Sequence, residues 1–221
     1  MIRKFIHAIL IILMTLPMAA AAQEIAADTD KKKVHVLEQR PFLHALRVEL
    51  APTFGYTVNE VLSEQLQVGG TLRFHLNETI SVGGMYYHYF SSQSSRALQV
   101  QNEFELFPET SFPKWFAGGE INYTPIYGKM IVSGITTVHW NAYLSGGAGV
   151  TKTGAKDPLF TTMIGLGTRF FVTSWLTINV EARDYIYSEP FKAGSEIINN
   201  VAIHTGVSLF VPFTYNYRYP K

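Results

Sequence analysis

Gln65-Leu66-Gln67-Val68-Gly69-Gly70-Thr71-Leu72-Arg73-Phe74-His75-Leu76 alternates apolar and polar side chains along its length. After only Asn77-Glu78-Thr79, a second extended run from Ile80 to Phe90 carries Tyr86, Tyr87 and Tyr89. Successive side chains of a strand point to opposite faces, so this is a β-hairpin with one apolar and one polar face. The link is of hairpin length.

The same period extends in both directions. Leu46-Arg47-Val48-Glu49-Leu50 opens a first strand, and Trp115 to about Ile126 forms a fourth. A fifth sets Val138, Trp140, Ala142, Leu144, Ala148 and Val150 against His139, Asn141, Tyr143, Ser145, Gly147 and Gly149. Phe160 to Val172 is a sixth, and after Thr173-Ser174-Trp175 a seventh sets Leu176, Ile178, Val180 and Ala182 against Thr177, Asn179, Glu181 and Arg183. Val201 to Val211 is the eighth. Links after the second and sixth strands are tight; those after the first, third, fifth and seventh are longer and polar. The link after the fourth, Gly128 to Thr137, reads as a longer connection than this pattern prefers, and Ser188 to Glu196 reads as a loop. Between Ser91 and Lys114 the chain breaks the pattern, with room for a short helix in Arg96 to Phe107 and prolines at Pro108 and Pro113.

Eight strands of about ten residues exceed the ordinary soluble length of ~5–6 and match the smallest even-numbered membrane barrel. The expectation is an all-β fold, an eight-stranded antiparallel up-and-down transmembrane β-barrel. A soluble β-sandwich shares the alternation; strand length, export and interfacial aromatics (Trp115, Tyr123, Trp140, Trp175, Phe213) favour the membrane.

Export is read from the first residues. Arg3 and Lys4 precede an apolar run from Phe5 to Leu16, followed by Ala19 to Ala22, the order of a cleaved secretory signal. The organisation expected is a signal peptide over 1–22, a periplasmic leader over 23–41, a barrel over 42–213 and a short tail over 214–221. Zero cysteines exclude disulfides, thiolate chemistry and Cys-ligated metals. A formal charge of +1 leaves no electrostatic footprint for nucleic acid. After the signal no apolar stretch is long enough for a membrane helix.

If the apolar faces meet lipid, the inward set contains Arg47, Glu49, Arg73, Glu120, Arg169, Glu181 and Arg183. An eight-stranded interior is just wide enough for its own side chains, so these charges are expected to pair and close the lumen. Glycines on the inward face (Gly69, Gly83, Gly118, Gly147, Gly149, Gly165, Gly167, Gly206) leave room for arginine and tyrosine. Asp184, next to inward Arg183, falls on the lipid side, which places it near the outer rim or calls for a bulge that re-aims it.

Two runs, Tyr123-Thr124-Pro125-Ile126-Tyr127-Gly128-Lys129 and Trp140-Asn141-Ala142-Tyr143-Leu144-Ser145-Gly146-Gly147-Ala148-Gly149, resemble the outer-membrane β-barrel domain proteins typical of deltaproteobacteria and their relatives. Glu181-Ala182-Arg183-Asp184-Tyr185 is similar to that family's penultimate strand, and the resemblance covers about Arg40 to Phe213. This chain has Trp140 where the family usually carries an acid after the histidine of strand five. The resemblance implies fold and location in a Gram-negative outer membrane. It implies no agreed activity, and some members look like parts of envelope-spanning assemblies linked to gliding motility. Leu209-x-Val211-x-Phe213 resembles the closing strand of such barrels, which implies handling by the barrel assembly machinery.

Chemistry-bearing motifs are few. The histidines show no metal spacing, although His75, His139 and His204 share the inward parity. Ser145-Gly146-Gly147-Ala148-Gly149 lacks the Gly-Lys-Ser/Thr ending of a phosphate loop. A lipid A-modifying hydrolase requires a paired Ser and His, and His88 with Ser91 or Ser92 is the nearest candidate. No cofactor or metal is expected. The reading is a non-enzymatic barrel, a structural or partner-binding component of an envelope complex; a conduit for a small apolar solute and a lipid-modifying enzyme are the alternatives. Partners expected are outer-membrane lipids and other envelope proteins. Leu98, Phe104, Leu106 and Phe107 form the expected contact loop, being too apolar for a loop facing only water.

Overall fold

The computed structural model describes residues 44–104, 111–132, 136–155, 157–191 and 194–213. The expected signal, leader and tail, together with Leu106 and Phe107, lie outside the described residues, as does the side chain of Phe104. Eight strands, β1 (Val48–Thr57), β2 (Ser63–His75), β3 (Ile80–Gln93), β4 (Trp115–Val132), β5 (Thr136–Lys152), β6 (Leu159–Phe171), β7 (Leu176–Phe191) and β8 (Gly194–Val211), follow one another round a ring. Each pairs antiparallel with its sequence neighbours, and β1 closes on β8, so the expected barrel is the fold.

The stagger can be followed in the register. From Val48 the row runs through Phe74, Val82, Ile121, Gly146, Ile164, Asp184 and Val201. It then meets Val58, whose amide donates to Val201, so the path returns ten residues further along β1. A closed sheet with such a stagger must tilt its strands, typically by 35–45°.

Polarity is inverted relative to a water-soluble core. Arg47, Glu49, Arg73, Glu120, Arg169, Glu181 and Arg183 are all buried, while Leu50, Phe54, Leu72, Ile121, Ile164 and Val180 are exposed. A wall of outward leucine, isoleucine and phenylalanine is stable only against hydrocarbon. Aromatic pairs stand near both edges: Trp175 meets Phe213 edge-on at 5.6 Å, and Tyr86 stacks with Trp115 at 6.5 Å.

One end carries tight turns. In the β2–β3 turn the Asn77 side chain accepts from the Thr79 and Ile80 amides at 2.8 and 2.6 Å. In the β6–β7 turn Thr173 Oγ1 accepts from Leu176 N at 3.1 Å. Such side-chain acceptors replace the ladder where the chain reverses. The opposite end carries residues 58–62, the long Ser94–Lys114 connection and residues 153–158. The expected helix is α1 (Ser95–Phe104), capped by Ser94 Oγ, which accepts from Ala97 N at 3.3 Å.

Two expected loops are strands instead. β4 runs to Val132 and pairs with β5 down to Thr136, so the link after the fourth strand is short and fits the turn-end rule. A register shift between Tyr123 and Ile126 moves the outward face from odd to even residues, and Ile126, Gly128 and Met130 then share a side with Trp140. The bulge falls at Pro125, which cannot donate to a ladder, and it hides the strand from a period-two reading. Likewise Ser188-Glu189-Pro190 pairs with Glu196, Ser195 and their neighbours, and the turn begins its return at Gly194, whose φ of +140° suits glycine. Both hairpins outrun their flanking strands: β3 leaves β4 at Tyr123, and β6 leaves β7 at Tyr187. Two ribbons therefore stand beyond the ring, one at each end.

Inward glycines mark places where neighbouring backbone comes close. A Cβ on Gly69 collides with the Tyr86 carbonyl oxygen and lies 2.8 Å from Tyr87 Cα, whereas one on outward Gly84 has nothing nearer than 3.8 Å. Gly69→Ala is therefore expected to destabilise the barrel by about 1–3 kcal/mol, and Gly84→Ala to be neutral, in urea unfolding from lipid vesicles.

Candidate functional site: a charge network sealed at both mouths

The inward positions of all eight strands converge on one polar cluster. Arg73 on β2 lies at its centre: Nε donates to Glu120 Oε1, Nη1 to Glu49 Oε1 at 3.1 Å, and Nη2 reaches Glu181 Oε2 at 3.5 Å. Arg183 on β7 places Nη2 3.2 Å from Glu120 Oε2 and 2.9 Å from Glu181 Oε2. Arg169 on β6 donates from Nε to Glu49 Oε1 at 3.2 Å and lays its guanidinium 3.9 Å above the Tyr143 ring.

Neutral groups complete the carboxylates. Tyr143 and Ser145 of β5 donate to Glu181 at 2.9 and 2.8 Å. Ser208 of β8 donates to Glu49 at 2.6 Å, and Asn122 to Glu120 at 3.0 Å. His75 Nε2 lies 2.9 Å from Glu49 Oε2, and Arg183 Nη1 donates to the Tyr87 hydroxyl of β3 at 3.3 Å. Three guanidinium groups thus meet three carboxylates, and each carboxylate is bonded several times over, while Nη1 and Nη2 of Arg169 have no hydrogen-bond partner among the described residues and lie over the Tyr143 ring.

Arg47 departs from the expected set. It precedes β1 and joins no carboxylate in this cluster; its Nη1 donates to Ser174 O at 2.8 Å and its Nη2 to Pro212 O at 2.8 Å and Phe210 O at 3.2 Å. It ties the chain entering the ring to the β6–β7 turn and to the end of β8. Arg47 is inward as its parity requires, and its carbonyl accepts from His75 N. It lies at the mouth of the barrel, however, just after the turn at Leu46 (φ +58°), and parity reports a side chain's face and not its height along the axis.

That turn closes the lower mouth. The His44 ring sits 5.1 Å from Phe171, 5.2 Å from Phe210 and 5.4 Å from His75. Glu78, from the β2–β3 turn, accepts from the amides of His44 and Ala45 at 3.0 Å each, with His44 Nδ1 3.2 Å from Oε2. Burial opposes ionisation of Glu78, yet these donors prevail and bring its carboxyl from 4.5 to about 2. No sequence signal in a lone Asn-Glu-Thr turn identifies this clasp.

The upper mouth is closed by the returning end of the long connection. Ser111 Oγ meets the Tyr187 hydroxyl at 2.9 Å, and Gln65 Nε2 reaches Ser111 O at 3.4 Å. Asn200 Nδ2 donates to Gln65 Oε1 at 2.6 Å, and Ser91 Oγ to Pro113 O at 2.9 Å. Below them Met85, Tyr87, Tyr89, Phe116, Met163, Tyr185 and Ala202 pack as an apolar plug.

The other sequence candidates separate. His204 lies against Tyr185 at 3.3 Å, His75 bonds Glu49, and His139 stacks on Tyr127 in the β4–β5 ribbon at 6.1 Å. Among the described residues no group of three or more His, Asp or Glu side chains is arranged for a metal. His88 points outward against Phe90 at 5.0 Å, while Ser91 turns to Pro113 on the other face. Ser91 and His88 therefore form no pair, and Ser92 shares the outward face of His88 with Phe90 between them. Leu98 of α1 is 47% exposed.

A closed antiparallel ring, lipid-type outside and ionic inside, defines a transmembrane β-barrel of the outer-membrane type. No family model matches the chain, and no curated protein matches its sequence. Solved structures do. The chain is similar to a de novo designed transmembrane β-barrel at 12% identity, covering 79% of this chain and 100% of that one, TM-score 0.42. The N-terminal barrel domain of Pseudomonas aeruginosa OprF aligns at 12% identity over 75% and 98%, TM-score 0.41. Neisserial surface protein A aligns at 10% over 76% and 96%, TM-score 0.41. The assignment rests on the closed ladder and its inverted polarity.

Glu49 neutralises parts of Arg73 and Arg169, so Glu49→Ala leaves buried charge unpaired and is expected to cost about 3–5 kcal/mol in urea unfolding from vesicles. Glu78 gives a pH signature. Its depressed value means that its stabilisation is fully present above about 4.5 and is lost as pH falls through about 2. The gap in melting temperature between wild type and Glu78→Gln is expected to be largest at neutral pH and to shrink between those values.

Proposed function

We propose that this chain is a sealed outer-membrane barrel of a Gram-negative envelope that serves as a structural or partner-binding component rather than as a channel or enzyme. The observation that carries the reading is the lumen: a cross-barrel ionic network with a packed segment over each mouth. A solute path along the axis would have to break several buried ion pairs. A lateral path for an apolar solute needs an opening between strands, and every strand pairs with both neighbours round the closed ring, with local interruptions at Ala51–Pro52 between β1 and β8 and at the Pro125 bulge between β4 and β5.

With the interior committed to holding the barrel together, binding falls to the periphery. The Ser94–Lys114 connection is pinned at both ends and presents α1 with Leu98 outward, which supports the contact surface expected from Leu98, Phe104, Leu106 and Phe107. The resemblance of the Tyr123–Lys129 and Trp140–Gly149 runs to deltaproteobacterial outer-membrane barrels supports an envelope assembly as the setting. Lipids, the barrel assembly machinery and other envelope proteins are the corresponding partners.

The test combines two measurements on the full chain in outer membranes. Wild-type protein in planar bilayers is expected to show no steady conductance, and removal of residues 96–109 to release a co-purifying envelope protein while the barrel keeps its heat-dependent gel mobility. Steady conductance in the wild type, or an unchanged set of co-purifying proteins after the deletion, would overturn the proposal.

A further inference from the structure

Asp184 lies on the outer wall with no bulge to turn it inward: β7 keeps its register with β6 and β8 on both sides of it. Its row neighbours are Ile164 and Val201, and its Oδ1 is buried with no hydrogen-bond partner among the described residues. Other outward acids and bases of the strands stand near strand ends, as Glu64 and Lys152 do. Asp184 sits eight residues along β7 from Leu176, just below the level where Ser188 and Asn199 make the wall polar.

The carboxylate heads a groove. Between Leu144, Ile164 and Leu166 on one side and Val201 on the other, the short side chain of Ala182 leaves a depression of about 280 Å³ with almost wholly apolar walls. Leu144 stands on β5; the nearer walls, Ile164 and Leu166 on β6 and Val201 on β8, are two strand spacings or about 10 Å apart at the backbone. That spacing, before side chains narrow it, is already too small for a helix of about 10–12 Å diameter. The groove runs from Asp184 past Ala182 toward the Leu176 end of β7, with the carboxyl group at its upper end.

A carboxylate facing hydrocarbon is costly unless a donor, preferably cationic, meets it. On the outward side of the described strands a second copy offers Lys152, which stands at a strand end with its Nζ donating to Ala155 O. The complement is a positively charged donor attached to an aliphatic chain. We propose that this groove binds an amine-bearing amphiphile, its hydrocarbon chain lying over Ala182 and its ammonium donating to Asp184.

The test uses the whole barrel in neutral detergent micelles, titrated with dodecylamine and, separately, dodecanol, and followed by backbone amide chemical shifts. Saturable shifts centred on Ile164, Ala182, Asp184 and Val201 are expected for the amine, at least ten-fold weaker for the alcohol. Asp184→Asn, which preserves shape, is expected to remove the preference, and Ala182→Leu, which fills the groove, to remove binding. Equal response to amine and alcohol, or an unchanged preference in Asp184→Asn, would overturn the proposal. A photoreactive side chain placed at Leu144 in native membranes separates occupants: an adduct of lipid mass supports it, and an adduct to a polypeptide overturns it.

Discussion

Every other feature of this barrel depends on the mutual neutralisation of Arg73, Arg169 and Arg183 by Glu49, Glu120 and Glu181. A guanidinium taken out of water costs several kcal/mol unless its donors are met. Here the ion pairs form only when five strands stand in one particular stagger. Arg73 on β2 must reach β1, β4 and β7 at once. A slip of one residue between any two of these strands would turn an ionic side chain to the lipid and an apolar one to the lumen. The interior charges therefore act as a register lock. The apolar exterior cannot do this, because hydrocarbon accepts any outward leucine at any height.

The same lock explains the glycines and aromatic rings. Three arginines crossing a narrow lumen need space, and glycine opposite them supplies it: Gly83 pairs with Arg73, and Gly165 with Arg183. Tyr143 fills the remaining volume with a ring that Arg169 stacks on and a hydroxyl that Glu181 accepts from. Charge, ring and void are matched across strands, which is why the neutral partners Tyr87, Tyr143, Ser145 and Ser208 matter as much as the ions. Their parity was readable; their pairing was not.

What the sequence disclosed and what it withheld divide along a physical line. Alternation depends on one strand at a time, so the eight strands, their inward charges and the outward course of Asp184 were legible. Register, bulges and turns back into the lumen depend on pairs of strands. Pro125 concealed the end of β4, and the polar Ser188-Glu189-Pro190 run concealed the ribbon of β7, because both are held by backbone pairing that composition does not report. Arg47 was grouped with the network on parity, which reports the face a side chain takes and not its height along the barrel. The clasp of Glu78 on His44 and Ala45 joins segments 33–34 residues apart and had no local signature.

A locked lumen also determines where variation is affordable. Substitution inside the ring disturbs a network touched by all eight strands, so new binding properties have to arise where side chains are not shared between strands. Three such regions are evident: the α1 connection above the ring, the two ribbons that outrun their neighbours, and the lipid-facing wall. On that wall almost every outward position is apolar and interchangeable. Asp184, whose Oδ1 has no partner among the described residues, is a position hydrocarbon alone does not favour, and an outside donor offsets its cost. Asp184 is thus the point at which the membrane-facing surface becomes specific, as Glu49 is the point at which the interior does.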